Sequence, residues 1–235
     1  MVTCLVDQLD PEVGLATTRL LSRLGVDVEF PDSQTCCGQA AWNSGFAKQS
    51  RTLAEHTIGV FEGYDHVVTP SGSCGGMIHH GYQQMFRDDR VWLERARDLA
   101  SRTFELSQYI VDVLGTDDVG ATYSGTATYH PSCHAKRILG VGDQPERLLS
   151  NVEGLTVVPL PRAEDCCGFG GSFAVKLSDL SASIVGEKVQ HVESTAADTL
   201  ISTDAGCLLN MRTAIEHKGL PVRVMHLAQV LESTK

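Results

Sequence analysis

The first part of the chain alternates between helical and extended hydrophobic patterns. After Asp10 and the proline that follows it, apolar side chains recur every three to four residues until Gly25, which predicts an amphipathic helix. Residues 26–30 alternate apolar and polar side chains and predict a short strand. Residues 44–62 predict a second helix, and residues 66–69 predict a strand that ends in a Pro-Ser-Gly turn.

The second part of the chain repeats this alternation. Its predicted strands cover residues 125–130, 155–160, 198–203 and 222–225. Its predicted helices cover a short stretch after Cys133 and residues 172–193, 207–218 and 226–232. Residues 88–114 predict helix alone and have no counterpart here. The pattern predicts an α/β fold with two pseudo-symmetric Rossmann-like halves, each a short parallel sheet flanked by helices.

The cysteines indicate an internal duplication. They occur in the same order twice, at Cys4, Cys36, Cys37 and Cys74 and again at Cys133, Cys166, Cys167 and Cys207. The segment HVVTPSGSC (66–74) also aligns with TLISTDAGC (199–207). We therefore predict two cysteine-rich halves: half one, residues 1–119, with a helical insertion at about 88–114, and half two, residues 120–235.

The predicted strands give the cysteines of each half a common location. Each cysteine position follows a strand, and ligands of open parallel sheets bind at the carboxyl ends of strands. Four thiols from three loops can therefore converge on one point. Such a set suits a [4Fe–4S] cluster or a tetrahedral zinc ion. Zinc ligands usually come in close C-x₂₋₄-C pairs, whereas here only the two adjacent cysteines are close in sequence. This spacing favours an iron–sulfur cluster, with one or two clusters per chain. Zinc is the alternative.

Composition and charge narrow the class of protein. A net charge of −10 argues against a nucleic-acid partner. The sequence has no run of roughly 20 apolar residues and no signal-peptide pattern at its start, so we expect a cytoplasmic protein without a transmembrane segment. Thiols stay reduced in that compartment, which argues against a disulfide framework. A thiol–disulfide function for one of the adjacent cysteine pairs remains a further alternative.

Several neighbours of the cysteines are candidates for a supporting role around a metal centre. Gly38 and Gly168 follow the adjacent pairs and allow tight turns with close backbone approach. His130 and His134 flank Cys133 and could bind metal, donate to sulfur or have a purely structural role. Arg137 could offset the negative charge of four thiolates. The stretch CCGFGGSF lacks the G-x-G-x-x-G spacing of a dinucleotide site.

The duplicated Cys-Cys-Gly pattern resembles the cysteine-rich CCG-domain family. That family includes the catalytic subunit of heterodisulfide reductase and the iron–sulfur subunit of glycolate oxidase. VTCLVDQLDPEVG, QTCCGQAAWNSG, YHPSCHAKR, CCGFGGSFAVK and PVRVMHLAQVL carry the resemblance, which covers nearly the whole chain. The branch that these motifs are most similar to serves L-lactate oxidation to pyruvate.

The resemblance implies a function for the chain and two partner proteins. The chain would be an iron–sulfur electron-transfer subunit, with its eight cysteines holding two sites. Its partners would be a larger ferredoxin-like iron–sulfur protein and a third subunit of the same operon. A zinc-binding scaffold subunit of a 2-hydroxy-acid oxidase complex is the alternative.

Two features depart from the relatives in this family. The halves of heterodisulfide reductase end in C-x-x-C, but here Met77 and Asn210 stand three residues after the last cysteine of each half. In addition, half two has a full predicted strand before Cys133, whereas only three residues precede Cys4. We expect the first strand to be clipped, for example by a misplaced start codon, and the first site to be the weaker one.

Overall fold

A computed structural model describes residues 1–234 of the chain. Its α-helices are α1 Cys4–Leu9, α2 Pro11–Arg23, α3 Gln39–Asn43, α4 Ala47–Phe61, α5 Gly72–Gly76, α6 Tyr82–Met85, α7 Arg90–Ser101, α8 Leu106–Gln108, α9 Gln144–Ser150, α10 Ser172–Lys176, α11 Ser178–Ser194, α12 Ala205–His217 and α13 Leu227–Glu232. Three π-helical segments cover Met77–Gly81, Tyr109–Val113 and His134–Leu139. The strands are β1 Val67–Thr69, β2 Thr103–Glu105, β3 Thr122–His130, β4 Glu153–Val158, β5 Thr199–Ser202 and β6 Arg223–His226.

The strands form two parallel sheets, one in each half. Half one contains the pair β1-β2, and half two contains four strands in the order β4-β3-β5-β6. All the pairings are parallel, and helices lie between consecutive strands along the chain. The predicted α/β class with short parallel sheets flanked by helices is therefore confirmed.

Most predicted elements are present, and three predictions are wrong. Residues 26–30 form no strand, because a strand exists only where a neighbour completes its hydrogen-bond ladder, and none lies beside them. Residues 103–105, predicted as part of a purely helical stretch, form β2 because β1 pairs with them. The helix predicted over 172–193 is interrupted at Leu177, whose φ of −128° and ψ of 53° are not helical.

The two halves share a core. The largest hydrophobic cluster combines Leu20 and Leu21 of α2 with Val230 and Leu231 of α13, at the other end of the chain. Arg23 reinforces this contact, because its guanidinium donates to the Leu231 carbonyl at 2.7 Å. The halves are thus packed together although the division into residues 1–119 and 120–235 remains a prediction.

The duplication extends beyond the cysteines to the end of each sheet. In half one, Glu105 ends β2 and forms a capping box with Gln108 at the start of α8. In half two, His226 ends β6 and forms the same capping box with Gln229 at the start of α13. Thus β2 is the counterpart of β6, which the sequence alone did not reveal because β2 has only three residues.

The Glu105 carboxylate is fully buried, so its ionisation opposes folding. It accepts hydrogen bonds from the backbone N–H and hydroxyl of Ser107, but one of its oxygens has no partner. Burial raises the pKa of Glu105 to about 7, above its ordinary value of 4.5. The folded state therefore prefers the protonated acid, and the resulting stability is complete below pH 4.5 and is lost as the pH rises to 7.

We predict that Glu105→Gln removes this pH dependence. The free energy of unfolding at pH 7 should rise by about 3 kcal/mol, while the value near pH 4.5 should match the parent protein. Urea unfolding across pH 4.5–8 measures the effect, with the exposed Glu216→Gln as the charge-matched control. Parallel pH profiles for the parent and Glu105→Gln proteins would contradict the prediction.

Candidate metal centres

The four cysteines of half one lie together in space. Cys4 begins α1, Cys36 and Cys37 lie in the loop before α3, and Cys74 lies in α5. The Sγ atoms of Cys4 and Cys36 are 3.5 Å apart, and those of Cys37 and Cys74 are 3.4 Å apart. Cys36 also contacts Cys37, so the sulfurs form one continuous row of four.

Half two repeats this arrangement. Cys133 contacts Cys166, Cys166 contacts Cys167, and Cys167 contacts Cys207. In both halves the second cysteine of the adjacent pair and the last cysteine are buried, while the other two are at least partly exposed. The structure therefore brings all eight predicted cysteines into two groups, each with an accessible side.

Each group stabilises one thiolate at the same position. Contact with Cys37 lowers the pKa of Cys36 to about 2, with further contributions from Cys4 and from the backbone N–H of Gly38. Contact with Cys133 likewise lowers the pKa of Cys166 to about 2, helped by Cys167 and by the N–H of Gly168. The glycine N–H groups lie 3.4 Å and 3.3 Å from the two sulfurs.

The remaining pKa shifts show that a thiolate at one cysteine opposes the ionisation of its neighbours. Contact with Cys36 raises the pKa of Cys4 and of Cys37. Contact with Cys166 raises the pKa of Cys133 and Cys167 in the same way. A second negative charge at van der Waals distance costs several kcal/mol at the dielectric of a protein interior. All four sulfurs of a group can therefore ionise together only when a cationic centre lies among them.

The two glycines hold the Cys-Cys-Gly loops in a conformation that other residues resist. Gly38 and Gly168 have φ values of +84° and +80°. Their carbonyls accept hydrogen bonds from the hydroxyls of Ser50 and Ser181, at 3.0 Å and 2.8 Å, which fasten the loops to α4 and α11. A Cβ on Gly168 would lie 2.8 Å from the backbone oxygen of Ser181.

His130 faces the cysteine group of half two from the buried side. It ends β3, is 1% exposed, and neither ring nitrogen has a hydrogen-bond partner. A ring nitrogen lies within 4.8 Å of the Sγ atoms of Cys167 and Cys207, which also lie within 4.8 Å of each other. Burial lowers the pKa of His130 to about 4, so the ring is neutral and carries one N–H donor at neutral pH.

His134 and Arg137 lie in different environments. The Nδ1 of His134 is 3.6 Å from the Sγ of Cys133, on the partly exposed side of the group. Arg137 donates to the Glu164 carbonyl at 2.9 Å, and Lys136 pairs with the Glu164 carboxylate at 2.6 Å. These two cations therefore fasten the loop that precedes Cys166.

A contact between the halves was missed by sequence reasoning. Ser71 caps α5 through the Cys74 N–H, and Asp204 caps α12 at the corresponding position, three residues before Cys207. The Asp204 carboxylate accepts from the Ser71 hydroxyl at 3.2 Å and from the Ser73 N–H at 3.0 Å. The two cap residues, both recognisable as N-cap types, thus join the two cysteine groups.

Lys188 was also missed. It lies on the buried face of α11 with 1% exposure, and its ammonium donates to the carbonyls of Arg162 and Ala163 at 2.7 Å and 3.0 Å. Burial lowers the pKa of Lys188, and the nearby sulfurs of half two oppose that shift. Only the seven-residue spacing from Ser181, on one helix face, could have hinted at this position.

A second cluster of possible ligands lies at the surface. Asp165, Glu187 and His191 bring three ligand atoms within 4.8 Å of one another. Arg162 pairs with both carboxylates, at 2.6 Å and 2.7 Å. An arginine already neutralises this cluster, so the cysteine groups are the stronger metal candidates.

These features define a class of protein: an α/β chain with two cysteine-bearing repeats that can each bind a metal centre. A family profile described as "CCG: Cysteine-rich domain" matches residues 1–79 and 127–212, one segment in each half. Within residues 1–234, no helix is long and apolar enough to cross a membrane.

Comparison with known proteins gives the particular family. Lactate utilization protein A of Anoxybacillus flavithermus (strain DSM 21510 / WK1) is 53% identical over 230 residues, 98% of this chain and 96% of the relative. That of Bacillus cytotoxicus is 53% identical over 232 residues, 99% and 97% of the two chains. That of Geobacillus sp. (strain WCH70) is 51% identical over 231 residues, 98% and 97%. The chain belongs to the lactate utilization protein A family.

We predict that Gly168→Ala lowers the free energy of unfolding by at least about 1–2 kcal/mol. The left-handed backbone conformation disfavours a Cβ, and the added atom would meet the Ser181 backbone oxygen. Chemical denaturation of the metal-free protein measures the loss. The control is Gly186→Ala, in the interior of α11 with no atom within 4 Å of the added Cβ, which should gain about 0.5–1 kcal/mol. Equal free energies of unfolding for Gly168→Ala and Gly186→Ala would contradict this account of the Gly168 backbone.

Proposed function

We propose that each half binds one [4Fe–4S] cluster through its four cysteines and that the chain transfers electrons in L-lactate oxidation. The observation that carries the proposal is the row of four neighbouring sulfurs that both halves repeat. When bound, a cluster of this type accepts and donates single electrons. The chain's own groups supply thiolate ligands, glycine N–H donors and, in half two, a buried lysine.

The sulfurs do not form the compact tetrahedron of a structural zinc site. With Zn–S bonds of about 2.3 Å, a tetrahedral zinc ion would hold all four sulfurs about 3.8 Å from one another. Within residues 1–234, no three thiols lie mutually within 4.8 Å, and the one such trio that contains two cysteines is completed by His130. The sulfurs therefore form an open row, and neighbouring sulfurs would have to move apart to ligate a cluster. The choice of a cluster over zinc rests on the wide separation of the cysteines in the sequence and on the family resemblance.

The family supports lactate as the substrate in this proposal. Relatives named lactate utilization protein A are more than 50% identical over nearly their full length, which supports a role in lactate utilization. Oxidation of L-lactate to pyruvate releases two electrons and two protons. Two one-electron centres in one chain can hold both electrons, and the duplicated sites thus match the stoichiometry of the reaction.

We further propose that lactate is oxidised on a partner chain in the cytoplasm. The sequence carries no dinucleotide fingerprint at its Gly-rich loop. The partners in this proposal are a larger ferredoxin-like iron–sulfur protein and a third subunit of the same operon. In each cysteine group, the partly exposed side is the route by which electrons can reach a docked partner.

We predict that anaerobically purified protein contains about eight irons and eight acid-labile sulfides per chain. Cys37→Ser and Cys167→Ser should each remove about half of both, because each replaces a buried sulfur of a different group. Iron and sulfide analysis, together with electron paramagnetic resonance of the reduced protein, provides the measurement. Stoichiometric zinc without sulfide would reject the electron-transfer function in favour of a scaffold.

We also propose that His130 donates its ring N–H to sulfur of the centre in half two. A donor to cluster sulfur stabilises the more negative, reduced state and raises the reduction potential. We predict that His130→Leu shifts the potential of that centre to more negative values and leaves the half-one signal unchanged. Potentiometric titration followed by electron paramagnetic resonance measures both centres.

The stability of the metal-free protein distinguishes the proposed role of His130 from a purely structural one. Both ring nitrogens lack partners in the protein, so His130→Leu should leave the metal-free protein as stable as the parent or more stable. The exposed His217→Leu serves as the control for loss of an imidazole. An unchanged potential with reduced stability would assign His130 to the scaffold alone.

A further inference from the structure

Half one contains an open groove between α4 and the turn that joins α6 to α7. The cavity has a volume of about 460 Å³. Its lining includes Trp42 of α3, Lys48 and Arg51 of α4, Met85 of α6, and Arg87 and Asp88 of the turn. The groove therefore combines an apolar floor with a charged rim.

The apolar part of the groove adjoins the cysteine group of half one. Trp42 and Met85 pack against the hydrophobic cluster that contains Cys37 and Cys74. Phe46, which directly precedes α4, is 56% exposed. Aromatic side chains and methionine are enriched where one protein covers another, so their combination on this surface indicates an interface.

The rim of the groove offers positive charge on a protein whose net charge is −10. Lys48 is exposed and forms no ion pair within residues 1–234. Arg87 pairs with the neighbouring Asp88, but their side chains are 74% and 89% exposed, so solvent weakens this contact. Arg51 is already paired with two carboxylates, at 2.8 Å and 2.6 Å. Lys48 and Arg87 are thus the two cations available to an incoming anion.

The two walls of the groove are particular to half one. Aligning the serines that hold the two Cys-Cys-Gly loops places Lys48 opposite Asp179, so the charge is reversed in half two. In half one, residues 86–102 lead from α6 to β2 and include α7, whereas residues 218–222 alone lead from α12 to β6. The groove is therefore not a by-product of the repeated cysteine site.

We propose that this groove docks an acidic segment of a partner protein, with one apolar side chain in the groove and carboxylates beside Lys48 and Arg87. The partner is the larger ferredoxin-like iron–sulfur protein, so the inference rests on the proposed function and names the face of half one at which that protein binds. Opposite charges at the rim speed the encounter, and the apolar anchor supplies the contact area.

A polypeptide fits this surface better than a small anion does. The two available cations lie on opposite walls, and the exposed ring of Phe46 lies outside the cavity lining. A small hydroxy acid has one carboxylate and little apolar surface, so it would leave Trp42 and Met85 uncovered. A segment of several residues can reach the floor, both walls and the exposed ring together.

The test measures binding of the purified ferredoxin-like partner to the full, iron-loaded chain by surface plasmon resonance. We expect the double variant Lys48→Glu/Arg87→Glu to raise the Kd by at least about tenfold, mainly through slower association. Added salt should weaken binding of the parent more than that of the double variant. Binding should also slow the amide exchange of residues 47–51 and 84–88 by at least about tenfold in the parent.

The matched control is Arg97→Glu/Lys218→Glu, which reverses the charge of one arginine and one lysine, both exposed and outside the groove. It should bind the partner as the parent does. Equal Kd values for the two double variants would overturn the proposal, as would a parent that does not bind the partner or amide protection confined to other residues.

A small-anion site predicts a different result. Slower amide exchange at residues 47–51 and 84–88 in the presence of lactate or pyruvate alone would overturn the polypeptide occupant. Iron and acid-labile sulfide are measured on the same samples. Because neither double variant replaces a cysteine, these contents separate failure of docking from failure of the proposed electron transfer.

Discussion

The contact of each thiol with the next, along a row of four in each half, is the constraint on which the structure depends. The row of sulfurs tolerates one negative charge, at Cys36 or Cys166, and resists a second. A protein that gathers thiols in this way gains little from them as isolated groups, because their ionisation is suppressed and their packing is open to solvent on one side. The arrangement becomes favourable when a multivalent cationic centre supplies the missing positive charge.

The same local hydrogen bonds hold the thiols together in both halves. In both halves a left-handed glycine turns its N–H towards the sulfur of Cys36 or Cys166, and a serine hydroxyl of α4 or α11 holds the same glycine's carbonyl. The capped helices that carry Cys74 and Cys207 then meet through Ser71 and Asp204. These hydrogen bonds directly connect the helices that carry the last cysteine of each group.

The sequence predicts what local signals encode. Pro11 and Gly25 bound a helix whose limits the structure reproduces within about a residue. The grouping of the cysteines follows from duplication and strand order. The strand expected at residues 26–30 does not form, because an alternating pattern needs a neighbour that no local signal reveals. Lys188 and Asp204 escaped notice for the same reason: their roles depend on groups that only the tertiary structure brings to them.

The two halves differ in the residues that lie beside their sulfurs. Half two places His130 and Lys188 beside its sulfurs, whereas the corresponding positions of half one are Met1 and Thr57. A buried ammonium and an unpartnered imidazole both favour added negative charge, and low dielectric strengthens their effect. If each half binds a centre as proposed, duplication followed by this divergence gives the two centres the same cysteine ligands and unequal electron affinity. Under the proposed function, an electron that enters half one would therefore move downhill to half two.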